Sequence, residues 1–238
     1  MPAYEIITLS SAEELAQTAA RKWLTYLRAL NSATPYVVAL SGGRIAGRFF
    51  SAAADGAGAF RQLLAPVHLF WSDERCVPPE DPESNFALAR KLLLEPLEIP
   101  DSQIHRVRGE EEPEAAASHA AGELRGVAPS NAAGQPVLDL VFLGMGEDGH
   151  VASLFPGEPE ATADDPAIYR PVLAVKPPPR RITMGYLTIA AARQVWVLAS
   201  GAGKERALRD SLAPEGRTPL ARVLKMRSQT TVFTDIPT

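Results

Sequence analysis

The chain has 238 residues, of which 46% are hydrophobic and 22% are charged, and its formal net charge at pH 7 is -4. This composition is typical of a globular protein rather than a disordered one, and the length suffices for a sizeable core. Since the net charge gives no general attraction to nucleic acids or anionic membranes, we expect neither as a partner. Any phosphate site must then be built locally, from a few positioned cations.

Cysteine content and hydropathy predict the compartment. The single cysteine, Cys76, cannot form an internal disulfide, which suits a reducing environment. No apolar run reaches the roughly 18 residues needed to span a bilayer, and the first residues lack the basic start and apolar stretch of a signal peptide. We therefore expect a soluble cytoplasmic protein that forms a monomer or a small homo-oligomer.

Segments typical of helices and strands alternate along the chain. Ser11 and Glu14 form a capping-box pattern before an amphipathic helix over 16–30, and Ser84 or Asn85 is placed to cap a later one. Further helices are predicted over 44–54, 84–97, 110–127, 187–193, 204–212 and 219–225, the third of them acidic and exposed. Strands are predicted over 35–40, 66–73, 137–146, 169–175, 194–201 and 230–235. This alternation predicts a single α/β domain with a mainly parallel sheet covered by helices.

Polar clusters follow the first two strands of the central part of the chain. Ser41, Gly42 and Gly43 can form a tight turn whose following helix directs free N–H groups at an anion. The cluster 72–75 ends the next strand, and its Arg75 can hold a phosphate through two N–H groups. Because ligands of α/β folds bind beyond the carboxyl ends of strands, both clusters are candidate site residues. An ordinary strand–helix turn and a solvated charged turn are the structural alternatives.

The segment 144–150, with the sequence GMGEDGH, follows the most hydrophobic strand and contains G-x-G-x-x-G. A dinucleotide site would need a long helix next, and Pro156 and Gly157 interrupt the residues that would form it. His150 is the more informative residue, because an imidazole at a strand end can act as a general base near neutral pH. The alternative is a purely structural histidine.

Two cationic segments come later in the chain. Residues 176–181 (KPPPRR) form a stiff basic loop, and 201–204 (GAGK) place Lys204 at the start of a helix, where it can neutralise a phosphate. A basic surface patch is the alternative for both. The chain has no HExxH, paired CxxC or G-x-S-x-G motif, and its other histidines lack metal-ligand spacing, so we predict a mechanism without metal or cofactor.

Five segments together resemble the 6-phosphogluconolactonase family. They are Ser41 to Gly43, WSDERCVPPEDPESN (71–85), LGMGEDGHVASLFPG (143–157), KPPPRRIT (176–183) and GAGK (201–204). The resemblance implies a three-layer α/β/α sandwich around a mostly parallel, Rossmann-like sheet, shared with glucosamine-6-phosphate deaminases. It also implies hydrolysis of 6-phospho-D-glucono-1,5-lactone to 6-phosphogluconate in the oxidative pentose phosphate pathway.

The resemblance also implies roles for individual residues. His150 would be the general base, and Asp73 a second acid/base or an orienting carboxylate. The substrate-binding set would be Ser41, Gly42, Gly43, Arg44, Arg75, Asp148, Arg181 and Lys204. One position departs from the family pattern, because members usually continue the first motif as SGGSTP and this chain has SGGRIA. Arg44 then either replaces the missing hydroxyl with a charge or points to solvent.

Two other functions fit the same family of folds. Glucosamine-6-phosphate deaminases typically carry asparagine before Gly-His and continue with phenylalanine, asparagine, glutamate and proline. Here Asp148 precedes Gly149 and His150, and ASLFP (152–156) follows, so the deaminase glutamate is missing. A non-catalytic sugar-phosphate sensor would need a fused DNA-binding module, and the 34 residues before the first central strand contain only one long helix. A binding homologue without activity is the remaining alternative.

Overall fold

The computed structural model describes residues 4–30 and 34–237, whose strands form two sheets. The strands are β1 (Tyr4–Thr8), β2 (Tyr36–Leu40), β3 (Val67–Trp71), β4 (Asp73–Arg75), β5 (Leu140–Gly144), β6 (Tyr169–Leu173), β7 (Arg180–Met184), β8 (Gln194–Ala199) and β9 (Thr230–Thr234). The α-helices are α1 (Ala12–Ala29), α2 (Arg44–Ala57), α3 (Asn85–Ala89), α4 (Glu95–Leu97), α5 (Pro113–Val127), α6 (Glu160–Ala163), α7 (Tyr186–Ala191), α8 (Glu205–Leu212) and α9 (Pro219–Met226). Short 3-10 helices occupy Gly58–Leu64 and Asp101–Gln103, and a π-helical turn, Arg90–Leu94, joins α3 to α4.

The main sheet has six strands in the order β1-β9-β8-β5-β2-β3, and all of its pairings are parallel. In the central strand β8, the residues from Val195 to Ala199 are buried without alternation, because helices cover both faces of the sheet. Helices α1 and α2 pack on each other and contact β9 and β8 respectively. The predicted three-layer sandwich is confirmed.

A second sheet of three antiparallel strands, β4-β7-β6, was not predicted from the sequence. The segment 169–175 was assigned to the main sheet, but its strand β6 pairs only with β7 among the described strands. Strand β7 was hidden because Arg180 and Arg181 read as the end of a cationic loop. Pro171 is tolerated in β6 because this strand lies at the edge of its sheet.

Helix α5 corrects another prediction. The acidic segment 110–127 was expected to be an exposed helix, but the helix begins at Pro113 and buries one face. Ala116, Ala120 and Leu124 recur at helical spacing on that face, which packs against β6 and β7. The acidic residues therefore cover only the other face, and small alanines allow close approach to the second sheet.

The strand order of the main sheet determines where the candidate site lies. From β2 the chain continues to β3 on one side, while β5 lies on the other side of β2, so the connections reverse direction between β2 and β5. Ligands of such sheets bind in the crevice outside the carboxyl ends of the strands at this point. The polar residues after β2, β3, β5 and β8 therefore meet at one edge. The first helix after β5 is the four-residue α6, so the long helix of a dinucleotide site is not formed there.

Helix starts follow the predicted caps, with one change. The Ser11 hydroxyl accepts a hydrogen bond from Glu14 N–H (3.2 Å), but the Glu14 carboxylate bonds to Ser10 rather than back to Ser11. Ser84 caps α3 by accepting from Ala87 N–H at 3.1 Å. Among the residues that the structure describes, no helix is both long and apolar enough to cross a bilayer.

Candidate active site

A cavity of about 1490 Å³ opens at the carboxyl edge of the main sheet. All four of the polar clusters that follow strands contribute to its walls. The predicted site residues that line it are Ser41, Gly42, Gly43, Arg44, Asp73, Arg75, His150, Arg181 and Lys204. Asp148, the remaining predicted residue, contacts the ring of His150 instead of lining the cavity.

His150 and Asp148 form a hydrogen-bonded pair at the cavity. His150 Nδ1 lies 2.6 Å from Asp148 Oδ1, and the His150 backbone N–H donates to the same oxygen at 3.1 Å. Burial raises the pKa of Asp148, but these bonds from His150 outweigh it and hold that pKa below its ordinary value. Since Asp148 is then a carboxylate, it favours the tautomer with the proton on Nδ1, which leaves Nε2 as a free acceptor.

The glycines of the 144–149 segment position this histidine. The ring of His150 lies directly over Gly146, where a Cβ would overlap it. Gly149 has a φ of +80°, which favours glycine, and its N–H donates to Gly146 O at 3.1 Å. Gly146 N–H in turn donates to His150 O at 2.9 Å, closing a tight loop. The G-x-G-x-x-G pattern therefore serves to place an imidazole.

Asp73 is only 4% exposed, and both of its carboxylate oxygens accept hydrogen bonds. Ser153 Oγ donates to Oδ2 at 2.7 Å, and Asn85 Nδ2 donates to Oδ1 at 3.3 Å. Ser153 reaches Asp73 just after Ala152, whose φ of +49° turns the chain sharply. Sequence reasoning missed Ser153 and gave Asn85 only a capping role, since neither bond is visible in local spacing.

Glu74 is a buried carboxylate that the sequence showed only as part of a charged turn. It accepts bonds from the backbone N–H groups of Arg75, Asn85 and Phe86 and from the hydroxyl of Ser84. Burial raises the pKa of Glu74 to about 7, although these backbone N–H groups act in the opposite direction. Glu74 thus fixes the start of α3 beside Asp73.

Glu74→Gln is expected to flatten the pH dependence of the free energy of unfolding. Because folding raises the pKa of Glu74 from 4.5 to about 7, its stabilising contribution is complete below pH 4.5 and is lost as the pH rises through 7. One such group changes the unfolding free energy by up to about 1.4 kcal/mol per pH unit. Denaturant titrations across this range measure the slope for both proteins. If the free energy of unfolding changed with pH in the same way in both proteins, Glu74 would titrate at its ordinary pKa in the folded state.

Cations and carboxylates both line the cavity, and Arg75 Nη1 lies 3.5 Å from the Glu83 carboxylate. Burial, followed by the nearby charge of Arg44, lowers the pKa of Lys204. Burial, followed by the charge of Arg75, likewise lowers the pKa of Arg181. Within 4–30 and 34–237, the ion pairs include none made by Arg44, Arg181 or Lys204. An anion bound between these side chains would relieve their mutual repulsion.

The two arginines next to Asp73 are oriented largely by backbone carbonyls. Arg75 Nη1 donates to Glu83 O at 2.6 Å, and its buried Nε has no partner among the described residues. Arg181 donates to Pro178 O at 3.0 Å and to Lys176 O at 3.3 Å. These carbonyls orient the Arg181 guanidinium without neutralising it. The segment 176–181 therefore contributes its carbonyls as well as the cation of Arg181.

Metal-ligating side chains do not gather in the described part of the chain. No group of three or more His, Cys, Asp or Glu residues there is arranged to hold a metal ion.

Residues 10–233 match the sequence profile of the glucosamine-6-phosphate isomerases/6-phosphogluconolactonase family. The chain belongs to this family. The match covers all the segments that form the cavity, so the site described above lies within the matched residues.

The matches to relatives named 6-phosphogluconolactonase cover different shares of those proteins. The chain is 33% identical to 6-phosphogluconolactonase of Streptomyces coelicolor over 219 residues, which is 89% of this chain and 84% of that protein. It is 39% identical to 6-phosphogluconolactonase of Treponema pallidum over 159 residues, 66% of this chain and 63% of the relative. For a probable chloroplastic 6-phosphogluconolactonase of rice, the match spans 55% of the relative.

Solved structures agree with the fold. The 6-phosphogluconolactonase from Trypanosoma brucei superposes with a TM-score of 0.85 at 29% identity, over 98% of this chain and 96% of that one. A monomeric glucosamine-6-phosphate deaminase superposes with a TM-score of 0.79 at 20% identity, over 97% and 96%. The second likeness shows the fold alone, because the two activities of the family share one architecture.

Proposed function

We propose that this protein hydrolyses 6-phospho-D-glucono-1,5-lactone to 6-phospho-D-gluconate. The observation that carries the proposal is the pairing of His150 with Asp148 at a cavity that is also lined by Arg44, Arg181 and Lys204, none of which forms an ion pair within 4–30 and 34–237. The lactonase names of relatives and solved structures support the same activity. The site thus offers a base for water and, separately, charges for a phosphate.

His150 acts as the general base in this proposal. Its Nε2 removes a proton from a water molecule as the water oxygen attacks C1 of the lactone, and the ring becomes an imidazolium held by Asp148. The C1–O5 bond then breaks, and the proton returns from Nε2 to the departing ring oxygen. The product is the open acid, so one water is consumed. The step requires no metal or cofactor, because a side chain moves the proton.

The phosphate is proposed to bind to the cations away from C1. Arg44, Arg75, Arg181 and Lys204 line the same cavity as His150, and the backbone N–H groups around Gly43 begin helix α2. Binding there fixes the lactone against the base, which lowers the entropic cost of reaching the transition state. The N–H groups of Gly146 and Gly149 bond within the 146–150 loop, so those of Glu147 and Asp148 are the ones proposed to stabilise the negative charge that develops on the carbonyl oxygen.

Asp73 is proposed to orient neighbouring groups rather than to exchange protons. Its two oxygens already accept hydrogen bonds from Ser153 and Asn85, which hold the side chain in place. Asp73 lines the same cavity as Arg75, Arg181 and His150. Its charge offsets the desolvation of Arg181, whose pKa it acts to raise.

A lactonase assay tests the proposal directly. Freshly generated 6-phosphogluconolactone should open faster with the protein than by spontaneous hydrolysis, and the excess should scale with protein concentration. The same preparation incubated with glucosamine 6-phosphate should release no ammonia. Ammonia release without lactonase activity would establish a deaminase. Binding of 6-phosphogluconate without either reaction would establish a non-catalytic homologue.

We further propose a cytoplasmic setting and a single domain over residues 1–238. The lone thiol of Cys76 is half-buried and forms no disulfide, as expected of a protein from a reducing compartment. The expected partner is the sugar-phosphate lactone, not nucleic acid or membrane. A monomer or a small homo-oligomer is proposed, and light scattering of the purified protein measures which.

A further inference from the structure

Asn85 is held rigidly at the junction of two strand-end clusters. Its backbone N–H donates to Glu74 Oε1 at 2.7 Å, and its side-chain Nδ2 donates to Asp73 O at 2.9 Å as well as to the Asp73 carboxylate. The residue is only 3% exposed, yet it lines the cavity. Because both bonds of Nδ2 go to oxygen atoms, the amide orientation is determined by its partners.

The remaining polar atom of this side chain, Oδ1, has no donor within the described parts of the chain. It lies against Gly42, at the position that a Cβ would occupy, so the glycine makes room for it. Gly42 also lines the cavity. An amide oxygen accepts up to two hydrogen bonds, so Oδ1 is able to accept one from a molecule bound in the cavity. A bound ligand with a hydroxyl group would satisfy it.

We infer that Asn85 is a specificity residue that accepts a hydrogen bond from one ring hydroxyl of the sugar substrate. The inference rests on the proposed lactonase function, because it takes the ligand to be a polyhydroxylated sugar phosphate. In this arrangement Arg44, Arg181 and Lys204 bind the phosphate. Asn85 Oδ1 accepts a hydrogen bond from a hydroxyl group of the sugar that lies close to Asp73. No additional side-chain movement is needed, since Glu74 and Asp73 already hold the amide.

Deoxygenated ligands test the inference. The dissociation constants of 6-phosphogluconate and of its 2-deoxy, 3-deoxy and 4-deoxy analogues are measured by calorimetry for the wild type and for Asn85→Ala. In the wild type, one deoxygenation should weaken binding by about 10-fold, the effect of one neutral hydrogen bond. In Asn85→Ala, that same deoxygenation should change binding by less than about 2-fold, while the other two analogues behave as in the wild type. Equal losses in both proteins for all three analogues would overturn the inference.

Ser153→Ala is the matched control. It removes the other hydrogen bond to the Asp73 carboxylate but leaves Asn85 in place, so any effect of loosening Asp73 occurs in both variants. Ser153→Ala should keep the wild-type response to every deoxygenation. If it loses the response as Asn85→Ala does, the effect arises from Asp73 and the inference is wrong. Asn85→Ser repeats the test with a smaller change, should Asn85→Ala not fold.

The lactonase assay separates this inference from the function on which it rests. Suppose that the wild type hydrolyses the lactone, but that Asn85→Ala loses affinity for each deoxy analogue by the same factor as the wild type does. That result would contradict the inference and leave the proposed function intact. A wild type that neither hydrolyses the lactone nor binds 6-phosphogluconate would contradict both.

Discussion

His150→Asn is expected to lower kcat by about 10²- to 10⁴-fold, the usual contribution of one positioned acid–base group. Asparagine keeps a polar side chain of similar size but cannot take a proton from water at neutral pH. The cations proposed to bind phosphate belong to other segments, so the dissociation constant of 6-phosphogluconate should stay close to that of the wild type. Initial rates, corrected for spontaneous lactone opening, and product titrations measure the two effects.

His119→Asn is the matched control for this prediction. His119 is also partly buried and lies 3.6 Å from a carboxylate, that of Glu123, but it is not among the residues lining the cavity. Its replacement should leave kcat unchanged. If His150→Asn retained most of the kcat, another group would be the base, and Asp73 would be the next candidate. Loss of folding together with binding would instead identify His150 as a structural histidine.

Lys204→Ala and Arg181→Ala are expected to raise KM by about 10- to 150-fold with little change in kcat. A hydrogen bond to a charged group contributes about 1.5–3 kcal/mol, and a contact made equally in the ground and transition states affects mainly KM. Each variant should weaken 6-phosphogluconate binding by a similar factor. Because each variant removes a cation proposed to attract the anionic ligand, it should also lower the salt sensitivity of binding.

Two cations outside the cavity provide the controls. Arg180 precedes Arg181 but is largely exposed and pairs with Glu112, and Lys225 donates to Gly216 O; neither is among the residues that line the cavity. Arg180→Ala and Lys225→Ala should bind 6-phosphogluconate as the wild type does. Unchanged binding by both cavity variants would refute the phosphate assignment. Weaker binding by Arg44→Ser would show that arginine has taken over the role of the missing hydroxyl.

Local patterns in the sequence predicted five of the six strands of the main sheet, and only the edge strand β1 was missed. Strands β2, β3, β5, β8 and β9 lie where runs rich in β-branched, aliphatic and aromatic residues predicted them, and the central strand β8 is apolar at nearly every position because both of its faces are covered. The same alternation predicted the parallel order, and parallel strands bring their carboxyl ends to one edge. The sequence alone therefore groups the polar clusters that follow these strands at one edge of the sheet.

The tertiary structure alone decided the second sheet and the supports of the site. Strand β7 pairs its Arg181 with Arg75, more than a hundred positions away, and its charged start resembles a loop when viewed locally. Glu74, Asn85 and Ser153 act through partners brought near by folding, so no spacing in the chain reveals their bonds. Sequence periodicity reports which face a residue occupies, whereas a hydrogen bond depends on where distant segments meet. The residues that carry the proposed chemistry were therefore predictable, and those that hold them in place were not.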